Sequence, residues 1–157
     1  MLKTLRFEPL EERHLTEVMA IEHAINPAPW SEDAFRNELT HANSIFRVAL
    51  VEGRVAGYVD VWMVVDEAHI TNVAVREELR RNGIGRRLVR IGLEEAKARG
   101  AVAATLEVRA SNAPAIQLYE QMGFVRAAVR RSYYPDNRED AVVMWLYRLD
   151  EWDVAAR

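Results

Sequence analysis

Residues 69–100, HITNVAVREELRRNGIGRRLVRIGLEEAKARG, constrain the fold more than any other stretch of this chain. Ile70 to Val75 is apolar and rich in β-branched residues, as a strand requires. The loop Arg80-Arg81-Asn82-Gly83-Ile84-Gly85 follows. Leu88, Ile91, Gly92 and Ala96 then recur at helical spacing up to a stop at Gly100. The opening of that helix has the makings of an anion site. Its first turn holds N–H groups without intrahelical partners, and the macrodipole adds partial positive charge. Gly83 and Gly85 carry no Cβ to keep a ligand at a distance, and Arg80, Arg81, Arg86 and Arg87 surround them. A phosphate or pyrophosphate is the natural occupant. No Lys-Ser or Lys-Thr follows the glycines, and Leu88 stands where a dinucleotide fingerprint has its third glycine, so neither of those phosphate loops applies.

With 157 residues, half of them hydrophobic and 29% charged, the chain has the size of one globular domain. No apolar run approaches the roughly 20 residues of a membrane span. The opening MLKTLRFEPLEERHL lacks the apolar core of a signal peptide, so a cytoplasmic location is expected. There are no cysteines, which excludes disulfides, thiolate metal sites and a cysteine nucleophile. His14, His23, His41 and His69 show no metal-ligand spacing, and no metal is expected. A net charge of −3 argues against wholesale nucleic-acid binding. The arginines are nonetheless local: Arg76, Arg80, Arg81, Arg86, Arg87 and Arg90 lie around one loop, which suits a small polyanion.

Leu5 and Phe7 alternate with Arg6 and Glu8 in an opening strand, and Leu15, Val18, Met19, Glu22 and Ile25 mark a helix. Asn26-Pro27-Ala28-Pro29 breaks it. Ser31 then caps a second helix through Phe35 and Leu39, with Glu32 and Asp33 in its first turn. Ile45–Val51 and Val55–Val65 are strands around a turn at Glu52-Gly53-Arg54. Beyond Gly100, Ala101–Arg109 is a strand. A helix capped by Ser111 or Asn112 runs to Gly123, and Phe124–Tyr134 and Ala141–Leu149 are strands joined by Pro135-Asp136-Asn137-Arg138. No repeat or linker appears, so one domain over 1–157 is expected, of mixed α/β class with helices packed on a mixed sheet.

The segment LEVRASNAPAIQLYEQMGF, Leu106 to Phe124, is more specific. Glu107 alternates with Leu106 and Val108 and reads equally as the polar face of a strand; Tyr119 shares its helix with Ile116 and Leu118 and reads equally as a core aromatic. The pattern Arg-x-x-Gly-x-Gly resembles the acetyl-coenzyme A loop of the GNAT acetyltransferases. Residues 69–147 resemble the GNAT core, and LEVRASN, AIQLYEQMGF, RRSYYP and REDAVVM together resemble its RimI group, with a looser echo in PWSEDAF. That resemblance implies a mostly antiparallel sheet of six to seven strands flanked by about four helices, with a core near 45–149. It also implies transfer of acetyl from acetyl-CoA to a protein N-terminus, the alanine of a small-subunit ribosomal protein in that group.

By the same resemblance Glu107 is the general base. A backbone N–H near Asn72-Val73 meets the developing oxyanion, and Asn72, Val73, Ala74 and Val75 pair with the pantetheine arm. Tyr119 is the general acid that meets the leaving thiolate. Arg80, Arg81, Asn82, Gly83, Ile84, Gly85 and Arg86 hold the pyrophosphate, and Asn112 adds a cofactor contact. Trp30, Arg131, Tyr133 and Tyr134 border the peptide, the last three on the strand before the final turn. Ala28 stands where relatives carry a bulkier residue before Pro-Trp, which implies a wider pocket. The partners expected are a protein N-terminus, with neither nucleic acid nor membrane, and a monomer or weak homodimer. A broader N-terminal or lysine acetyltransferase on the same fold, and a non-catalytic acyl-CoA-binding regulatory module, remain as alternatives.

Overall fold

A computed structural model describes residues 4–152. In chain order the elements are β1 (Leu5–Pro9), α1 (Leu15–Ile25), α2 (Glu32–Glu38), β2 (Ser44–Val51), β3 (Arg54–Val64) and β4 (Glu67–Val75). They continue with α3 (Ile84–Ala98), β5 (Ala103–Arg109), α4 (Ala113–Gln121), β6 (Val125–Arg130) and β7 (Ala141–Leu146). All seven strands join one sheet in the order β1-β2-β3-β4-β5-β7-β6. Every neighbouring pair is antiparallel except β4 and β5.

Each face of the sheet buries a separate core. On one, Ile84, Leu88, Val89, Gly92, Leu93 and Ala96 of α3, with Ile116 and Tyr119 of α4, pack on Val59, Val61, Ile70, Leu106 and Met144. Ile91, expected on that face, is only half-buried, and Val89 and Leu93 take its place. A fully buried Leu or Val stabilises by roughly 1.5–3 kcal/mol, well above any helix-propensity difference, so packing sets the helix's rotation. On the other face Val18 and Ile21 of α1 and Phe35 of α2 pack on Phe46, Val48 and Tyr58.

The parallel pairing of β4 with β5 covers only Glu67–Ile70 against Ala103–Leu106. There β4 changes course. Asp60 faces Asn72 and Val61 faces Ile70, which leaves Thr71 as an extra residue, a bulge. Bulges bend a strand and raise its twist. Beyond it, Asn72–Val75 stays paired with β3, while Glu107–Arg109 stays paired with β7. The two strands therefore part, and the edge of β4 that faces β5 is left without a strand partner.

The last two strands are shorter than expected. β6 ends at Arg130, because the chain turns at Ser132 (φ 50°), whose N–H donates to Asp140 Oδ1 at 2.8 Å. Arg131, Tyr133 and Tyr134 thus lie in a folded turn, not on a strand. β7 stops at Leu146; a 3-10 turn at Leu149–Glu151 follows, and the Trp152 indole N–H closes onto the Met122 carbonyl at 2.8 Å. The last five residues, 153–157, lie outside the described range.

Gly57 marks a close approach of β3 to β4: a Cβ there would stand 2.5 Å from the Ala74 carbonyl oxygen. Gly57→Ala is expected to destabilise the protein by about 1–3 kcal/mol, measured as a lower urea midpoint. An unchanged midpoint would show that the strand spacing yields without cost.

Candidate active site

The loop after β4 delivers the expected helix opening. Gly83 is the residue before α3 and has φ 76°, a left-handed conformation that a side chain would strain. No side chain among the described residues caps this helix, and the first-turn N–H groups of Ile84, Gly85 and Arg86 have no partner there. Ile84 itself is buried, so only its backbone is available.

The arginine cluster is thinner than its sequence. Arg76 turns back to the Val55 carbonyl and Glu17, and Arg87 lies 4.9 Å over the Phe7 ring. Arg80, Arg81 and Arg86 remain at the loop. Arg80 Nε donates to the Val75 carbonyl at 3.4 Å, and Arg86 is held by Gln121 at the end of α4. Arg81 has no side-chain partner among the described residues and has φ 66°. Asn82 spends its amide N–H groups on the Leu79 and Arg80 carbonyls, shaping the loop rather than facing outward.

The mouth of the split between β4 and β5 carries the titratable groups. Glu107, on β5, is largely buried, and its Oε2 lies 2.7 Å from His69 Nε2 on β4, while Arg130 Nε stands 3.9 Å from its Oε1. His69 and Thr105 are register partners in the parallel pair, which puts His69 and Glu107 on one face. Tyr119 is buried edge-on to Phe124, and no partner for its hydroxyl is found among the described residues. Burial, then the neighbouring Tyr134, push its pKa up to about 12. Tyr134 is likewise pushed up to about 12 by burial, against the lowering effect of Arg109 and with help from Tyr133 and Glu107. Tyr134 is thus the electrostatic neighbour of both Glu107 and Tyr119.

Arg109 fixes the turn that carries Tyr134. Its guanidinium lies 4.0 Å over the Tyr134 ring, bonds both Asp136 oxygens at 3.1 Å, and reaches Glu139 at 3.4 Å. Tyr133 is more exposed, with Arg130 5.4 Å over its ring, and Arg131 projects outward with only Asp140 at 3.8 Å. Asn112 caps α4 by accepting from Ala115 N–H at 3.2 Å, which leaves its amide N–H groups available.

The family description "Acetyltransferase (GNAT) family" matches residues 15–124. The chain belongs to the GNAT acetyltransferases. It is 40% identical over 139 residues to the [ribosomal protein bS18]-alanine N-acetyltransferase of Escherichia coli (strain K12), covering 87% of this chain and 93% of that one. The crystal structure of the ribosomal-protein-S18-alanine N-acetyltransferase from Escherichia coli superposes with a TM-score of 0.84 at 37% identity, over 91% of this chain and 93% of that one. Ard1 from Thermoplasma volcanium also gives 0.84, at 27% identity over 90% and 95%.

An acetyl-CoA-dependent N-acetyltransferase must hold a diphosphate and an extended pantetheine arm. This chain fits both. Unpaired N–H groups at the start of α3 suit the anion, and the open edge of β4 suits an extended amide chain. A Cβ at Gly83 would meet nothing within 4 Å and one at Gly85 only Val75 Cγ2 at 3.6 Å, so the space above the loop is clear of protein. Among the described residues one cluster, Glu8, Glu11 and His14, has metal-like spacing. Arg13 already binds both carboxylates, and His14 Nδ1 accepts Glu11 N–H at 2.9 Å, which puts the ring proton of a neutral imidazole on the nitrogen a metal would need.

Three features of the acetyltransferase escaped the sequence. His69 was visible only as a histidine without metal spacing; its partner sits 38 residues away on another strand. Glu22 looked like one residue of a helical stripe. It is buried, and its carboxylate accepts from Tyr58 (2.6 Å), Trp30 N–H (2.9 Å), Asn26 (3.0 Å) and Asn72 (3.1 Å). It thereby ties α1, the Pro-rich elbow and β4 together; its charge, after burial, also raises the pKa of Tyr58. The third is a buried pair, Asp60 of β3 and Glu38 of α2, bridged by the Trp62 indole N–H at 3.2 and 2.7 Å.

Burial, then Glu38, hold Asp60 above the usual carboxylate range. A carboxyl with a raised folded pKa stabilises the fold while protonated, fully below its unfolded value near pH 4, and loses that contribution as pH rises through its folded value. Asp60→Asn removes the titration. The melting temperature of the wild type is therefore expected to fall relative to that of Asp60→Asn between about pH 5 and about pH 9. Parallel profiles would refute the assignment of a raised pKa to Asp60.

Proposed function

We propose that this enzyme acetylates the α-amine of a protein N-terminus, the N-terminal alanine of ribosomal protein S18, with Glu107 as general base. The observation that carries this reading is the Glu107–His69 pair at the mouth of the β4–β5 split, with Tyr134 as the electrostatic neighbour of both Glu107 and Tyr119. The activity printed for the relatives above supports the choice of amine.

Acetyl-CoA supplies an acyl group activated as a thioester. The protein's task is to deliver a neutral amine to it. An α-amine has a pKa of about 7.7–8.0 and a lysine about 10.4, so at neutral pH the neutral fraction of an N-terminus is several hundred times larger. A single carboxylate is then a sufficient base. Glu107 takes the ammonium proton, directly or through one water, and the bond to His69 holds its Oε2 in place. The backbone N–H groups near Asn72-Val73, on the open edge of β4, donate to the carbonyl oxygen as it gains charge. Tyr119, with a pKa of about 12, stays protonated throughout the working range. A free thiol near 8.5 is the stronger acid, so complete transfer from Tyr119 is uphill. Its contribution is a hydrogen bond donated to the departing sulfur, and the second proton, which the attacking nitrogen sheds as the amide forms, goes to the thiolate to give the free thiol of coenzyme A. Gly83 to Arg86 hold the diphosphate, and Trp30 and the turn bearing Tyr133 and Tyr134 border the peptide.

Glu107→Gln and Tyr119→Phe are each expected to lower kcat by at least about 100-fold at neutral pH, with acetyl-CoA affinity retained. Near-full rates in both would remove these residues from the chemistry. Among peptides beginning Ala-Arg, Met-Leu and Ser-Tyr and one with an internal lysine, the first is expected to have the highest kcat/KM. Preferential acetylation of the internal lysine would overturn the N-terminal reading.

A further inference from the structure

A cavity of about 600 Å³ opens between α2 and the far end of β3, on the α1–α2 face of the sheet. Trp30, Asn37, His41 and Trp62 line it, and Glu38 stands in its wall. The His41 ring lies tilted against Trp62, with centroids 4.4 Å apart. Beneath them lies the acidic pair. Asp60 is fully buried, with Ser44 Oγ donating to its Oδ1 at 2.8 Å, and Glu38 is only 6% exposed. Among the described residues Glu38 Oε2 has no hydrogen-bond partner, and neither carboxyl has an arginine, lysine or histidine as ion-pair partner.

Two buried carboxyls without a cation are costly, and they relieve the cost by sharing a proton or by acquiring a positive charge. In the free protein the pair holds a proton, as the raised pKa of Asp60 records, and a cation arriving in the cavity displaces it. Glu38 supplies the charge in the wall, and Trp30 and Trp62 beside it give apolar surface for the methylene stem of a long cationic side chain. The cations nearest to the cavity are already engaged: Arg36 of α2 is occupied by Glu32 and Glu12, and Arg99 by Glu95 and the Ala42 carbonyl.

The cavity also stands at a useful distance. Trp62 is the register partner of His69, so their side chains share a face, and His69 holds Glu107 on the next strand. Neighbouring strands are about 4.8 Å apart and an extended peptide advances about 3.3 Å per residue. A chain with its amine at Glu107 and its course across β4 toward α2 brings one of its second to fourth residues to Trp62.

We propose that this cavity binds a cationic side chain, an arginine or lysine, carried at position two, three or four of the polypeptide whose N-terminus is acetylated. The inference rests on the acetyl-acceptor assignment given above, and it makes Glu38, Asp60 and Trp62 determinants of specificity rather than of chemistry.

The test compares peptides that begin with alanine and carry arginine, or its neutral isostere citrulline, at each of positions two to four. With the wild type, one position is expected to show at least about tenfold higher kcat/KM for arginine, carried by KM. In Glu38→Gln and in Asp60→Asn that ratio is expected to fall to within about twofold. Because each ratio is taken within one protein, a general loss of folding cancels from it. Equal ratios in wild type and both variants, or no position that prefers arginine, would overturn the proposal. If no peptide is acetylated, the acetyl-acceptor assignment fails, and the cavity is judged by binding of the same peptides followed by tryptophan fluorescence. Tighter binding of an arginine peptide that disappears in Glu38→Gln supports a cation site, and equal binding overturns it.

Discussion

Parallel strands β4 and β5 stay hydrogen-bonded for four residue pairs and then separate. Buried backbone N–H and C=O groups must find partners, so a strand that loses its neighbour in mid-sheet exposes a row of donors and acceptors with a fixed spacing. An extended amide chain can complete that row, and pantetheine is such a chain. The bulge at Thr71 gives the split a local cause, and the Thr71 hydroxyl bonded to the Asp60 carbonyl at 3.2 Å helps to hold the bend. At one end of the open edge stands the bare first turn of α3; at the other stand Glu107 and His69.

The sheet divides its labour by face. The α3–α4 side is closed by a dense apolar core. The α1–α2 side carries the polar groups, since Asp60, Trp62, His69, Asn72 and Glu107 all project there by register. Buried polar groups are costly unless satisfied, and most of these are: Glu22 receives four donors, Glu107 is bonded to His69, and Arg109 spreads its donors over Asp136, Asn137 and Glu139. Such networks hold loops where propensity would leave them free. The turn with Tyr133 and Tyr134 has no strand pairing of its own and owes its shape to Arg109, Glu139 and Asp140.

Local chemistry was the most legible part of the chain. Ser31 accepts from Ala34 N–H, and Asn112 rather than Ser111 caps α4. The turn at Glu52-Gly53 has positive φ at both residues, as a two-residue hairpin needs. Errors fell where distant contacts outweigh local pattern. The continuation of β6 through Tyr134 followed apolar spacing, but the bond from Ser132 to Asp140 turns the chain sooner. The arginine cluster was a count of neighbours in sequence; Arg76 and Arg87 belong to other faces, because a loop entering a helix sends successive side chains in different directions.

The amino-acid order alone determined the glycine-opened start of α3, the caps and the turns, because these depend on residues within one or two turns of one another; Glu107 and Tyr119 stood out only through the family resemblance, since locally each reads equally as a structural residue. Tertiary structure alone decided that β4 and β5 part after Ile70 and Leu106, that His69 meets Glu107, and that Glu38 and Asp60 share one buried indole N–H. Each of those joins residues 22 or more positions apart on different elements. Strand register and helix placement, neither of which is written in local spacing, bring them together.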